Sequence, residues 1–164
     1  LRDRLDLLPG LWAPAILLVD FLSKRLVLAS ADQLRPPVEV LGSLLRITYV
    51  RNPAAAMGLF DVGRPLLIAI SIVASFFLVS LFLRTRPALR VRRGALAAIL
   101  GGAVGNLVDR IFYGGYVVDF VDIGIGTHRF YTFNVADMGV TLGGAVLFLT
   151  LLCEGARHRR VEHV

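Results

Sequence analysis

The stretch PLLIAISIVASFFLVSLFL, residues 65–83, runs for 19 residues without a charge, and no other feature narrows the fold so far. About 20 such residues carry an α-helix across a hydrocarbon core. In a bilayer every backbone polar group must be satisfied within its own segment, so the run reads as a membrane-spanning helix. Composition agrees: 56% of the 164 residues are hydrophobic and the mean hydropathy is +0.71, too apolar for an ordinary soluble domain of this size.

Three more runs are apolar but carry polar residues inside them: LPGLWAPAILLVDFLSKRLVLA (8–29), GALAAILGGAVGNLVDRIF (94–112) and FNVADMGVTLGGAVLFLTLLC (133–153). Ala29-Ser30-Ala31 has the small-x-small pattern of a signal-peptide cleavage site, but Asp20, Lys24 and Arg25 break the preceding run, which is therefore read as a retained helix. The connection RTRPALRVRR (84–93) holds five arginines and no acid, whereas residues 30–63 hold three bases against three acids. Basic loops stay in the cytoplasm. The expected topology is four spans with both termini inside and the segments 30–63 and 113–132 outside, that of a multi-pass membrane protein. Within the first outer segment, VEVLGSLLRITYV (38–50) is rich in β-branched residues with a Gly-Ser break and predicts a hairpin or small sheet. The expected class is an all-α membrane protein: a four-transmembrane-helix bundle with a small extracytoplasmic β element, one domain over residues 1–164.

The net charge of +6 sits in one short connection and the tail beside the spans, so it reports topology and not a nucleic-acid partner. The single cysteine, Cys153, excludes a disulfide framework.

Ionisable residues inside spans cost roughly 2.5–3.5 kcal/mol each on the insertion scale and are functional candidates by default. Asp20 and Lys24 are four apart, so on a helix they share a face and neutralise one another as a structural pair. Ser23 adjoins Lys24 and points away from it, against a Ser-Lys protease. Glycines at 101, 102 and 105 permit close helix packing. Asn106 and Arg110 share a face, which aligns Arg110 to brace a nearby carboxylate; Asp109 points elsewhere and either serves the site or simply ends the span. Asp119, in VVDFVDI, lies just outside the third span, and Asp137 lies at the outer end of the fourth, 18 residues on. The chain can bring them to one depth. Two close carboxylates cannot both ionise and so share one proton, which equips them as general base and acid for water. The alternatives are a solvated loop acid at 119 and a helix-start acid at 137 favoured by the dipole. Asp122, Asp32, Glu39 and Asp61 read as solvated loop charges. The histidines at 128, 158 and 163 lack metalloprotease spacing, and no nucleophile elbow or phosphate loop occurs.

Five blocks, in order, are DFLSK (20–24), RNPAAAMGLF (51–60), GNLVDR (105–110), VVDF (117–120) and FNVAD (133–137). Together they resemble the bacterial lipoprotein signal peptidases, or signal peptidase II, over nearly the whole chain. The resemblance implies an aspartic endopeptidase with Asp119 and Asp137 as catalytic dyad. It places Asn52, Asn106, Arg110 and Asn134 around the site, and makes Asp20 and Lys24 supports of the bundle and substrate path. Its implied substrate is a prolipoprotein whose cysteine carries diacylglycerol, cut on the amino side of that cysteine, at the outer face of the membrane, with membrane lipid around it and no metal or cofactor. The protein is expected to act as a monomer. The second block departs from the family pattern, with Ala54 in place of glycine and Met57 in place of phenylalanine; its small residues, Ala54, Ala55, Ala56, Met57 and Gly58, suit a flexible cover. Two rivals make other predictions. A proton-coupled transporter or channel would spread Asp20, Lys24, Asp109 and Asp137 through the membrane depth, and a non-enzymatic scaffold would tolerate loss of Asp119.

Overall fold

The computed structural model describes residues 8–53 and 63–162, with side chains described as far as residue 155. A 3-10 turn, Leu8–Leu11, leads into α1, Trp12–Ala29. A hairpin follows, β1 (Val38–Leu41) and β2 (Leu45–Asn52), then α2 (Arg64–Arg84) and α3 (Arg90–Phe112). Strands β3 (Val117–Ile125) and β4 (His128–Arg129) precede α4, Val135–Glu162.

Among the described residues three helices are long and apolar enough to cross a membrane: α2, α3 and the Val135–Gly155 part of α4. The expected count of four spans is therefore met by three on composition alone. The physical reason is the charge on α1, where Asp20, Lys24 and Arg25 interrupt 18 residues. Asp20 and Lys24 nevertheless lie inside the protein, 1% and 2% exposed. α2 is the opposite case, with Val73, Phe76, Phe77 and Leu83 exposed, a surface that suits lipid and would be a liability in water. Pro65 sits in its first turn, where a missing N–H is harmless. The connection expected over 84–93 is shorter than that, because Arg90, Arg92 and Arg93 already belong to α3.

α3 is the central helix, packed against α1, α2 and α4. Glycine makes this possible. A Cβ at Gly101 would lie 2.6 Å from the carbonyl oxygen of Ala13 on α1, and one at Gly105 would lie 2.7 Å from Asp20 Oδ2 and 3.2 Å from the Ala136 Cβ. Small residues on one face of α3 thus let two neighbouring backbones approach it.

The β element is larger than the hairpin expected from residues 38–50. β1, β2, β3 and β4 form one antiparallel sheet in that order, so the class is mostly helical with a four-stranded sheet and not all-α. The run VVDFVDI becomes β3, whose first six residues are all buried; period-2 alternation fails there because both faces are covered. Val27 and Leu34, Tyr49 of β2, and Val118, Phe120 and Val121 of β3 form the core that joins the sheet to the end of α1. The β2–β3 register pairs Ile47 with Val121 but Val50 with Asp119, an extra residue on β2. Such a bulge re-aims the strand that carries it, and here it precedes Asn52 and its contact with Asp119.

The close approach makes a prediction. Gly101→Val should lower stability by about 1–3 kcal/mol, the range for overpacking, whereas Gly144→Ala, with nothing within 4 Å of the new Cβ, should change little. Thermal unfolding in detergent checks this, and equal midpoints for the two variants would contradict the packing described.

Candidate active site

The site is assembled where the C-terminal end of α3, the start of α4 and the middle of the sheet meet. Asn134 precedes α4, and its side-chain Oδ1 accepts the backbone N–H of Asp137 at 2.9 Å, while Asp137 Oδ2 accepts the N–H of Asn134 at 3.2 Å. This is a reciprocal capping box, with Asn and Asp in the places of Ser and Glu. Asp137 is therefore a helix-start acid in the sense that the dipole favours, and the same geometry fixes its carboxylate.

Asn134 also reaches the sheet. Its Nδ2 donates to Asp119 Oδ1 at 2.6 Å, to the Val118 carbonyl at 3.3 Å and to Asn106 Oδ1 at 3.1 Å. One fully buried asparagine thus holds both aspartates, each by a direct hydrogen bond. Asn52 donates to Asp119 Oδ2 at 2.8 Å from β2, and Asn106 donates to Asp137 Oδ1 at 2.8 Å from α3. Every carboxylate oxygen of the pair accepts at least one N–H. Asp119 is 1% exposed and Asp137 is half-buried.

Burial is the main reason that the Asp119 carboxyl is pushed up to about 7; the negative charge of Asp137 adds to it, while the amides of Asn52 and Asn134 and the Lys24 ammonium pull the other way. Arg110, buried at the end of α3, also acts on Asp137, Asp119 and Asp109 through its charge. It braces no carboxylate by an ion pair among the described residues; its Nη1 donates to the Asn106 carbonyl at 3.3 Å.

Lys24 and Asp20 form the expected pair, 2.7 Å apart. The pair does not stand alone. Lys24 Nζ also lies 3.0 Å from Asp109 Oδ2 and donates to Asn106 Oδ1 at 3.1 Å. Asp109, 4% exposed, does not end the span at a wet surface. Its signal was present: Asn106 and Asp109 are three apart and so share a helix face. Asp122, read as a solvated loop charge, is also buried, 8% exposed, and pairs with Arg129 at 2.9 Å; its place on a covered strand explains the difference. Arg129 holds the Ser43 carbonyl as well, tying β4 to the β1–β2 turn. Residues 54–58, expected to form a flexible cover, lie outside the described residues. Among the described residues no three of His, Cys, Asp and Glu are grouped as a metal would need; the acids here face amides, Lys24 or backbone N–H groups.

Fold and site together define a helical integral membrane protein in which two aspartates are joined through a shared asparagine. The family model described as signal peptidase (SPase) II matches residues 12–153. The lipoprotein signal peptidase of Moorella thermoacetica is 34% identical over 150 residues, covering 92% of this chain and 96% of that protein. That of Psychromonas ingrahamii is 40% identical over 142 residues, covering 84% and 80%. A bacterial membrane enzyme structure determined in meso at 2.3 Å superposes with a TM-score of 0.80 at 29% identity, covering 91% of this chain and 90% of that one. A second, at 1.9 Å, gives 0.76 at 30% identity, covering 88% and 92%. The chain belongs to the signal peptidase II family, and it is a hydrolase of the aspartic peptidase type.

The raised Asp119 carboxyl has a stability consequence. Its folded pKa, about 7, exceeds the ordinary 3.8, so between those values the folded state binds more protons than the unfolded state and stability falls as pH rises. The thermal midpoint of the wild type should decline from about pH 4 to about pH 7, and Asp119→Asn should flatten that decline. Parallel slopes in the two proteins would contradict it.

Proposed function

We propose that Asp119 and Asp137 are the catalytic pair and that the protein removes signal peptides from prolipoproteins, cutting on the amino side of a cysteine that carries diacylglycerol. The observation that carries the reading is Asn134, which bonds to both aspartates, with Asp119 buried and Asp137 half-buried. Asp119, with its carboxyl near 7, holds the shared proton up to about neutral pH, and Asp137 is the general base. A water between them gives a proton to Asp137 as its oxygen adds to the scissile carbonyl carbon. The proton of Asp119 moves onto the carbonyl oxygen and neutralises the charge that develops there. When the tetrahedral intermediate collapses, the C–N bond breaks, Asp137 passes its proton to the departing cysteine nitrogen, and one hydroxyl of the intermediate returns a proton to Asp119 as its C=O reforms, which restores the pair. The products are a signal peptide ending in a carboxyl group and a lipoprotein with a free amino-terminal cysteine.

Topology supports the chemistry. α1 serves as a fourth span, with Asp20 and Lys24 turned inward onto α3 and α4 and Arg25 exposed over the Phe21 and Tyr113 rings, and both termini lie in the cytoplasm. Arg84, Arg86, Arg90, Arg92 and Arg93 gather where α2 ends and α3 begins, the end that remains inside. The aspartates lie at the opposite end of α3 and face the outer surface. An apolar signal helix reaches them from the bilayer, with the lipid chains left in the membrane, and one copy of the chain is sufficient. A proton relay is not favoured: Asp20, Lys24, Asp109 and Asp137 converge on one cluster through direct contacts and Asn106.

The test is cleavage by the purified protein in detergent, with prolipoprotein carrying or lacking diacylglycerol. The lipidated substrate should be cut, and Asp119→Asn and Asp137→Asn should each lose at least about 1,000-fold in kcat while remaining folded. Cleavage without lipid, or active variants, would refute the assignment. The rate should fall as pH rises through about 7, where Asp119 gives up its proton. Asn52→Leu removes a donor that favours the charged form of Asp119, so it should move that limb to higher pH; a limb that stays or moves down would contradict the role of Asn52.

A further inference from the structure

Two buried acids outside the pair, Asp109 and Asp20, are placed by one rule. Asp109 Oδ2 accepts the backbone N–H of Val118, the residue before Asp119, at 3.0 Å. Asp20 Oδ1 accepts the backbone N–H of Ala136, the residue before Asp137, at 2.8 Å. Lys24 lies between these acids, 2.7 Å from Asp20 Oδ2 and 3.0 Å from Asp109 Oδ2. All three are buried. We infer that Asp109 is a positioning residue for the reaction: with Asp20 it clamps the peptide N–H ahead of each catalytic aspartate, and Lys24, as common counter-ion, sets the separation of β3 from α4 and hence of the two carboxylates.

The chain makes this clamp stiff. Asp20 and Lys24 are one helical turn apart on α1, so their own spacing is fixed by backbone hydrogen bonds. Gly105 leaves the room that the Asp20 carboxylate occupies, because a Cβ there would stand 2.7 Å from Oδ2. Two carboxylates that each contact one ammonium in a dry interior cannot drift from it without stranding a charge. The inference rests on Asp119 and Asp137 being the reacting pair.

The contacts of the two acids differ in a way that separates clamping from simple charge pairing. Asp109 uses one oxygen, Oδ2, for both Val118 N–H and Lys24. An asparagine there can offer its Oδ1 to both. Asp20 uses one oxygen for Ala136 and the other for Lys24, so an asparagine must turn its NH2 either on the Ala136 N–H or on the ammonium. Asp109→Asn should therefore retain about a third of wild-type kcat, whereas Asp109→Ala and Asp20→Asn should each lose about 100-fold, the cost of misplacing a reacting group by about 1 Å. KM should stay within about twofold in all three. In Asp109→Ala the loosened strand also admits water to Asp119 and widens its gap from Asp137, so the alkaline limb of the pH profile should move to lower pH.

The experiment measures kcat, KM, the pH profile and the thermal midpoint of the purified full-length variants on the lipidated substrate, with Asp119→Asn alongside. A folded Asp109→Ala protein with wild-type kcat or an unmoved limb overturns the inference. So do equal losses in Asp109→Asn and Asp20→Asn, a comparison that stands even if Asp109→Ala fails to fold. Activity in Asp119→Asn is a different failure, since it removes the dyad and not the clamp.

Discussion

Two carboxylates brought together out of water repel one another, and every other part of this molecule answers to that repulsion. A pair in this position survives only if donors occupy its oxygens and a proton is shared. The structure supplies those donors from four places: the amides of Asn52, Asn106 and Asn134, and the backbone N–H that opens α4. Asparagine is suited to this work because its amide gives N–H groups without adding a charge that would hold both acids ionised. A lysine in the place of Asn134 would quench the pair. The one lysine, Lys24, stands behind Asn106 and addresses other acids.

That arrangement is expensive for the fold. Asp119 is buried and its carboxyl is raised to about 7, so its ionisation above that pH counts against stability. Asp20, Asp109 and Lys24 add three buried ionisable groups, and removing a partner from such a cluster costs about 3–5 kcal/mol. Apolar packing of α3 against its neighbours offsets these costs. The glycines at 101, 102 and 105 allow that contact, so the smallest residues of the chain sit beside its most demanding polar cluster.

How much of this was legible in the sequence varied with the physics involved. The 65–83 span is set by length and polarity alone and emerged within a residue at each end. The sheet was only half visible: β-branched residues marked β1 and β2, but β3 has apolar residues on both faces and so lacks the alternation that identifies a strand. The five matching blocks named a set of residues, and the structure brings Asn52, Asn106, Asn134, Asp119, Asp137, Asp20 and Lys24 of that set into one network. Asp109 was missed as a partner of Lys24, because its contact spans 85 positions of sequence and only tertiary packing creates it. Asp122 was misread for a similar reason, since the exposure of an acid between strands depends on what covers them.

The central claim is that a single proton resides on the pair and belongs to Asp119 near neutrality. Infrared difference spectroscopy across a pH titration of the purified protein measures it directly. A protonated-carboxyl band should be present below about pH 7, disappear as the pH passes that value, and be missing from the same titration of Asp119→Asn. A wild-type titration without such a band, or one unchanged by Asp119→Asn, would show that the aspartates do not share a proton in this way.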